Sequence, residues 1–219
     1  MTPRYDEAAA QALRTIIKYN MDSLPVYPQR VIQSRQNAAL LSFADMAELS
    51  KVDREKIINH AAPLTGIAAA YVTIHDGEPF YLFAFNREAP IERIRFALSI
   101  EIGNIMMGHI GKLDHATRLA EAYHFARHMC FPRPIIKLCQ EMGIPLTNYN
   151  IKKIAGGYGD YVTDLQKVVP SSAPAELNKK VKEIFRPYLE SIMDLGLIRL
   201  TNEPLLDLSS YMEGYEDEM

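Results

Sequence analysis

The sequence predicts an α+β fold, mostly helical, with one small antiparallel sheet. Three observations carry that prediction. Apolar residues recur at helical spacing along most of the chain, as Ala9, Leu13, Ile16 and Ile17 do on one stripe of residues 5–20. The period turns strand-like in one region, a hairpin of about 67–74 and 80–86 that is rich in β-branched and aromatic residues. Between its arms lies His75-Asp76-Gly77-Glu78, whose Asp-Gly pair supplies the positive φ angles of a tight hairpin turn.

The elements follow in order. The first helix ends at Met21-Asp22-Ser23-Leu24-Pro25, and Pro28 opens a short second one running to about Asn37. Ser42 is placed to cap a helix over 43–50, and Asp53 to open another reaching His60. Both faces of the second strand, Phe80 to Phe85, are apolar, so helices should cover one or both sides of the sheet. A long helix starts at Glu88-Ala89-Pro90 and runs to about His109; Asp114 caps the next, to about Cys130. Pro132 and Pro134 break it, and another helix follows to about Met142. The stretch from Ile144 reads as helix, a glycine-rich break at 156–159, then helix. Pro170-Ser-Ser-Ala-Pro174 is a linker before a helix of about 176–193. These signals divide the chain into an N-terminal helix (1–23), a core (24–145), a helical extension (146–206) and an acidic, frayed tail (207–219).

Bulk properties narrow the function classes. The 219 residues are 48% apolar, enough for a sizeable core, and the formal net charge of -3 gives no global field for nucleic acid. Two cysteines, Cys130 and Cys139, form neither a disulfide framework nor a paired metal knuckle, which fits a reducing compartment. The N-terminus lacks the apolar run and small-residue cleavage site of a signal peptide, and no window has the ~18 apolar residues of a membrane span. The expectation is a cytoplasmic protein with no membrane partner.

The chemistry concentrates in Arg93 to Ile110, RIRFALSIEIGNIMMGHI. Catalytic zinc helices carry H-E-x-x-H because residues i and i+4 share a face: two imidazoles hold the ion and the glutamate takes a proton from its water. Here that word reads Ile100-Glu101-Ile102-Gly103-Asn104. Isoleucine has no lone pair to offer, and an amide is a poor zinc ligand. Only the general base, Glu101, stands, and without a metal it is vestigial. If buried, it needs a partner or a raised pKa, with Arg93, Arg95 and His109 as nearby cleft candidates; if in a wet cleft, it is unperturbed. A rebuilt metal site would draw at least three ligands from Glu101, His109, His115, Glu121, His124 and His128. Glu121, His124 and His128 fall on roughly one helical stripe, for which the simpler reading is a solvated, histidine-rich face.

Several motifs together resemble the ImmA/IrrE family of zincin-like metallopeptidase domains, found in bacteria, mobile elements and phages. Arg93-Ile-Arg95-Phe96-Ala-Leu98 is similar to the family's R-x-R-F-T-L. Glu101-Ile-Gly103 and Met107-Gly108-His109 match its H-E-I-G-H-x-x-L-G-H, save for the two zinc histidines. Ala122-x-x-Phe125-Ala126-x-x-Met129-Cys130-Phe131-Pro132 resembles A-N-x-F-A-x-x-L-L-M-P; Leu24-Pro25-Val26 resembles the family's opening turn, and Asn86 its strand-ending Asn. The resemblance covers about 24–135. It implies a zincin-like core with the hairpin beside the active-site helix, and a third metal ligand from an acid before F-A. The nearest such acid is Glu121; the position two residues earlier holds Leu119. Ile100, Asn104 and Glu121 are then degenerate metal positions.

The function expected from this is a catalytically inactive pseudo-peptidase that binds a protein or peptide segment, such as part of a transcriptional regulator, with no cofactor. An edge strand beside the helix can grip an extended chain through backbone groups alone, with Phe80–Phe85 or its neighbour as the rim. One alternative is an active zinc peptidase with ligands rebuilt from His109, Glu121, His124 and His128. The other is DNA binding through 35–57, where Met46 to Ile57 resembles a helix-turn-helix. Its cations, Lys51, Arg54 and Lys56, are sparse and interrupted by Asp53 and Glu55, which argues against nucleic acid.

Overall fold

A computed structural model describes residues 2–61, 66–109, 115–156 and 172–200. Helix α1, Tyr5–Lys18, buries Ala9, Leu13 and Ile16 of the predicted stripe together with Ala8 and Ala12, while Ile17 is half-buried. Asp6 and Glu7 stand in its first turn and Lys18 in its last, each sign matched to the helix dipole. Helix α2, Pro28–Gln33, starts at its proline as expected but ends early. The chain then forms a strand, β1 (Ala38–Ser42), where the sequence predicted no element between a helix ending at about Asn37 and the cap at Ser42. Its Ala-Ala-Leu-Leu composition carries no strand signal; its pairing is with residues some forty positions on.

Ser42 ends β1 and caps α3, Phe43–Ser50, in a reciprocal capping box with Asp45. Lys51 terminates α3 in the left-handed region at φ 57°. Asp53 Oδ1 accepts the Glu55 N–H at 2.8 Å and so opens α4, Arg54–Ala61. The hairpin follows as β2, Ala68–His75, and β3, Glu78–Phe85. Asp76 and Gly77 adopt φ 52° and 82°, the two positive angles predicted for the turn.

The sheet is not the purely antiparallel one expected. Its order is β1-β3-β2, with β1 parallel to β3 and β2 antiparallel to it. Strand β3 is therefore central, and its apolar character on both faces is explained. Phe83, Ala68, Ala70, Tyr81 and Leu40 face the main core, while Ala69, Ala84 and Tyr71 face Phe43 and Ile57 of α3 and α4. Helices thus cover both sides of the sheet.

Helix α5, Ile91–Met106, lies across β2 and β3. It packs on α6, His115–Cys130, which also carries α1 on another face. The contact between α5 and α6 is close because of Gly103: a Cβ built there would sit 2.9 Å from Phe125 Cδ1. Helices α7 (Arg133–Glu141), α8 (Asn148–Ala155) and α9 (Ala175–Asp194) complete the described chain, with α9 against α7 and α1. Gly156 closes α8 at φ 63°. The Asp114 cap, the helix expected after 159 and the acidic tail lie outside the described residues. No helix among the described residues is long and apolar enough to cross a membrane.

Candidate functional site

The stretch from Arg93 is helical through Met106 and then turns. Gly108 takes φ 65°, and the His109 N–H returns to the Asn104 carbonyl at 2.8 Å. This turn, rather than the helix continuing to His109 as expected, folds the imidazole back over the last turn of α5.

Ile100, at the position where the resemblance implies a first ligand, is fully buried in the hydrophobic core. Asn104, in the second, donates Nδ2–H to Glu101 Oε2 at 3.3 Å and places Oδ1 3.2 Å from His109 Nδ1. His109 Nε2 lies 2.8 Å from Glu121 Oε2. Glu121, 2% exposed, also receives the Arg4 guanidinium at 2.7 Å on Oε2 and 3.2 Å on Oε1, and the Arg4 backbone N–H at 2.8 Å. Arg4 and Arg118 further tie the turn by donating to the carbonyls of Met107 and His109. A continuous polar chain results: Glu101, Asn104, His109, Glu121, Arg4.

Its electrostatics follow from its partners. Desolvation pushes the Glu101 carboxyl up to about 7, against hydrogen bonds from Asn104 and the Ala70 backbone N–H that favour the anion. Burial would raise Glu121 too, but the Arg4 side chain and backbone and His109 outweigh it and hold Glu121 down at about 2. Burial lowers His109, although Glu121 pulls the other way.

Donor counting sharpens this picture. With Asn104 Nδ2 donating to Glu101, its Oδ1 can only accept; the Glu121 carboxylate can only accept as well. His109 would then need protons on both nitrogens, which its burial opposes. Turning the Asn104 amide over removes the conflict, since the two orientations of an amide differ only in hydrogen-bond logic. A neutral His109 then gives Nε2–H to Glu121 and accepts Asn104 Nδ2–H at Nδ1, while a protonated Glu101 donates to Asn104 Oδ1. That arrangement agrees with the raised Glu101 and lowered His109 together.

Of the candidate partners Arg93, Arg95 and His109, none bonds Glu101 directly. Arg93 is exposed, Arg95 stacks on Tyr27 with 4.6 Å from its guanidinium carbon to the ring centre, and His109 engages Asn104 and Glu121. The solvated histidine face is also overturned: His124 and His128 are 1% and 3% exposed, their rings 4.7 Å apart. Desolvation and the charges of Arg133 and Arg127 bring them down to about 4 and about 3, so both are neutral imidazoles in the core. The His109–Glu121 and His124–His128 pairs do not merge into one ligand set: among the described residues no three His, Cys, Asp or Glu side chains group to hold a metal. The side chain of His115 lies outside the described residues. Sequence reasoning missed Arg4, 117 positions from Glu121; nothing local to Arg4 marks it.

A zinc ion does not fit these residues. Of the three positions the resemblance implies as ligands, one is hydrocarbon, the second is an amide already bonded on both sides, and the third is a carboxylate saturated by a guanidinium and an imidazole.

Beside α5, β2 forms an edge of the sheet. Asn86 N–H bonds Ile67 O at 2.7 Å, so the antiparallel alternation places residues 69, 71, 73 and 75 in bonded pairs with β3 and turns the backbone groups of 70, 72 and 74 outward. Glu101 takes the outward N–H of Ala70; beyond it run Val72 and Ile74, the latter 66% exposed. On the face toward α3 and α4, Met46, Val52, Lys56, Ile57 and Tyr71 line a groove of about 640 Å³.

Of the segment 35–57, residues 38–42 are strand β1, and Met46 to Ile57, the part resembling a helix-turn-helix, spans the helix pair α3–α4 with Lys51 in the turn between them. Arg54, one of its few cations, is held by Glu88 at 2.9 Å and Asn86 at 3.1 Å.

Compared with known proteins, the chain matches no family model, no curated protein and no solved structure.

Proposed function

We propose that this chain is a catalytically inactive pseudo-peptidase of the ImmA/IrrE kind, which binds an extended protein or peptide segment and acts as a regulator. A mobile-element or stress setting is what the resemblance adds. The observation that carries the reading is that β2, an edge strand among the described residues, lies beside a helix whose positions 100 and 104 hold Ile100 and Asn104. Strand β2, AAAYVTIH, has no lysine, proline or bulge of the sort that blunts an edge. A segment added there needs only the backbone groups of Val72 and Ile74 for its ladder. Its alternate side chains would point toward Tyr71 and the apolar groove, giving a preference for large apolar residues.

The test is enrichment of extended heptapeptides from a displayed random library on the wild-type chain and on Val72→Pro. The Val72 N–H points away from β3, so proline there removes no internal ladder bond. Enrichment by wild type and its loss in the variant, with an unchanged circular dichroism spectrum, is the expected result. Equal enrichment by both proteins, or none by either, ends the proposal. Casein cleavage that stops with a chelator and with Glu101→Gln would replace it by the peptidase alternative.

A further inference from the structure

We infer that His109 and Arg4 together occupy the place of a metal ion, so that the link between α5 and α6 is organic and keeps zinc out. The inference rests on reading 100, 104 and 121 as former coordinating seats, and goes beyond the binding role proposed above.

An ion held by an i, i+4 pair on α5 and an acid on α6 would lie between the side chains of 104 and 121. That gap is where the His109 ring stands: Nδ1 is 3.2 Å from Asn104 Oδ1 and Nε2 is 2.8 Å from Glu121 Oε2. One imidazole spans both seats. It is held there by the left-handed Gly108 and by its own N–H to the Asn104 carbonyl, and Arg118 donates to its carbonyl at 3.0 Å.

The remaining requirement of a metal site is positive charge against a buried carboxylate. Glu121 is 2% exposed and needs a cation, because a buried anion left alone is costly. Arg4 supplies it, with two guanidinium nitrogens and the backbone N–H on one carboxylate. The residues that exclude the ion thus also perform its two structural tasks, bridging the helices and neutralising the acid. Returning two histidines to α5 is therefore not enough to rebuild a zinc site. The second would meet the His109 ring, and the third ligand would still be saturated.

The experiment measures zinc affinity by competition with a chromophoric chelator. Three proteins are compared with wild type: Ile100→His with Asn104→His; the same pair with His109→Ala; and the same pair with His109→Ala and Arg4→Ala. The double variant is expected to stay within about threefold of wild type, the triple to gain at least about tenfold and the quadruple at least about a hundredfold. The wild-type chain, which needs no refolding test, should melt within about 1 °C of the same temperature with and without EDTA. A double variant that gains as much as the quadruple shows that His109 and Arg4 exclude nothing. Folded triple and quadruple variants that gain nothing show that these are not the seats. A wild-type melting temperature that falls in EDTA and returns with zinc also overturns the inference. None of these results depends on peptide binding at β2, so this inference and the proposed function can fail separately.

Discussion

Glu101 holds its proton more tightly than an exposed carboxyl because burial penalises its anion, and that changes how the fold responds to pH. Its pKa is raised from 4.5 to about 7. Below about 4.5 the folded and unfolded chains both keep the proton. Between there and about 7 the unfolded chain loses it first, so the contribution to stability declines as pH rises and is gone once pH passes the folded value. Glu101→Gln keeps the shape without the buried charge, and should stabilise the protein at pH 8 by roughly 1–3 kcal/mol and not at pH 4; urea titrations at the two pH values measure the difference. Glu121 behaves oppositely. Its pKa is depressed to about 2, so its contribution is present above about 4.5 and lost as pH falls through about 2. Arg4→Met leaves that acid buried with its guanidinium gone. The loss expected is about 1–3 kcal/mol, below that for a wholly buried pair because the Arg4 side chain is half in water. For His109, whose pKa burial lowers from its ordinary value, nitrogen-15 shifts at neutral pH should report a neutral ring with its proton on Nε2; a doubly protonated ring would refute the turned amide.

At the scale of elements, the α5–α6 crossing and the β1–α3 junction each turn on one identifiable residue, Gly103 and Ser42. Gly103→Ala drives a methyl into Phe125, whose ring is fully buried and cannot swing away, so a loss of about 1–3 kcal/mol is expected in thermal or urea melts. A neutral effect would mean that the two helices can separate without cost. Ser42→Ala removes the side-chain acceptor of the Asp45 N–H and half of the capping box, which should lower stability by about 1 kcal/mol. These two sites differ in legibility. Ser42 announces its role because capping is local. Gly103 reads as a helix-weakening residue until Phe125, 22 positions away, is seen against it.

Over the whole molecule, α1 is part of the structure rather than an appendage. Leu13 and Ile16 lie in the same core cluster as Phe125 of α6 and Phe185 of α9, and Arg4 closes the polar chain at Glu121. Deleting residues 1–18 should therefore abolish the cooperative melting transition rather than trim it. A truncated chain that melts as sharply as the full one would show that α1 only decorates the rest.

The sequence by itself determined what depends on neighbours a few positions apart: the helical stripes, the Asp76-Gly77 turn and the Ser42 cap. These follow from backbone sterics and from the period of helix and strand, which act locally. Only the tertiary structure decided that 38–42 is a strand, that β3 is central, that His124 and His128 are buried, and that Arg4 rather than Arg93 or Arg95 supplies the cation of the site, through Glu121 and not Glu101. Strand pairing, desolvation and a buried acid's need for a partner are settled by whatever the rest of the chain brings near, and sequence separation places no limit on that choice.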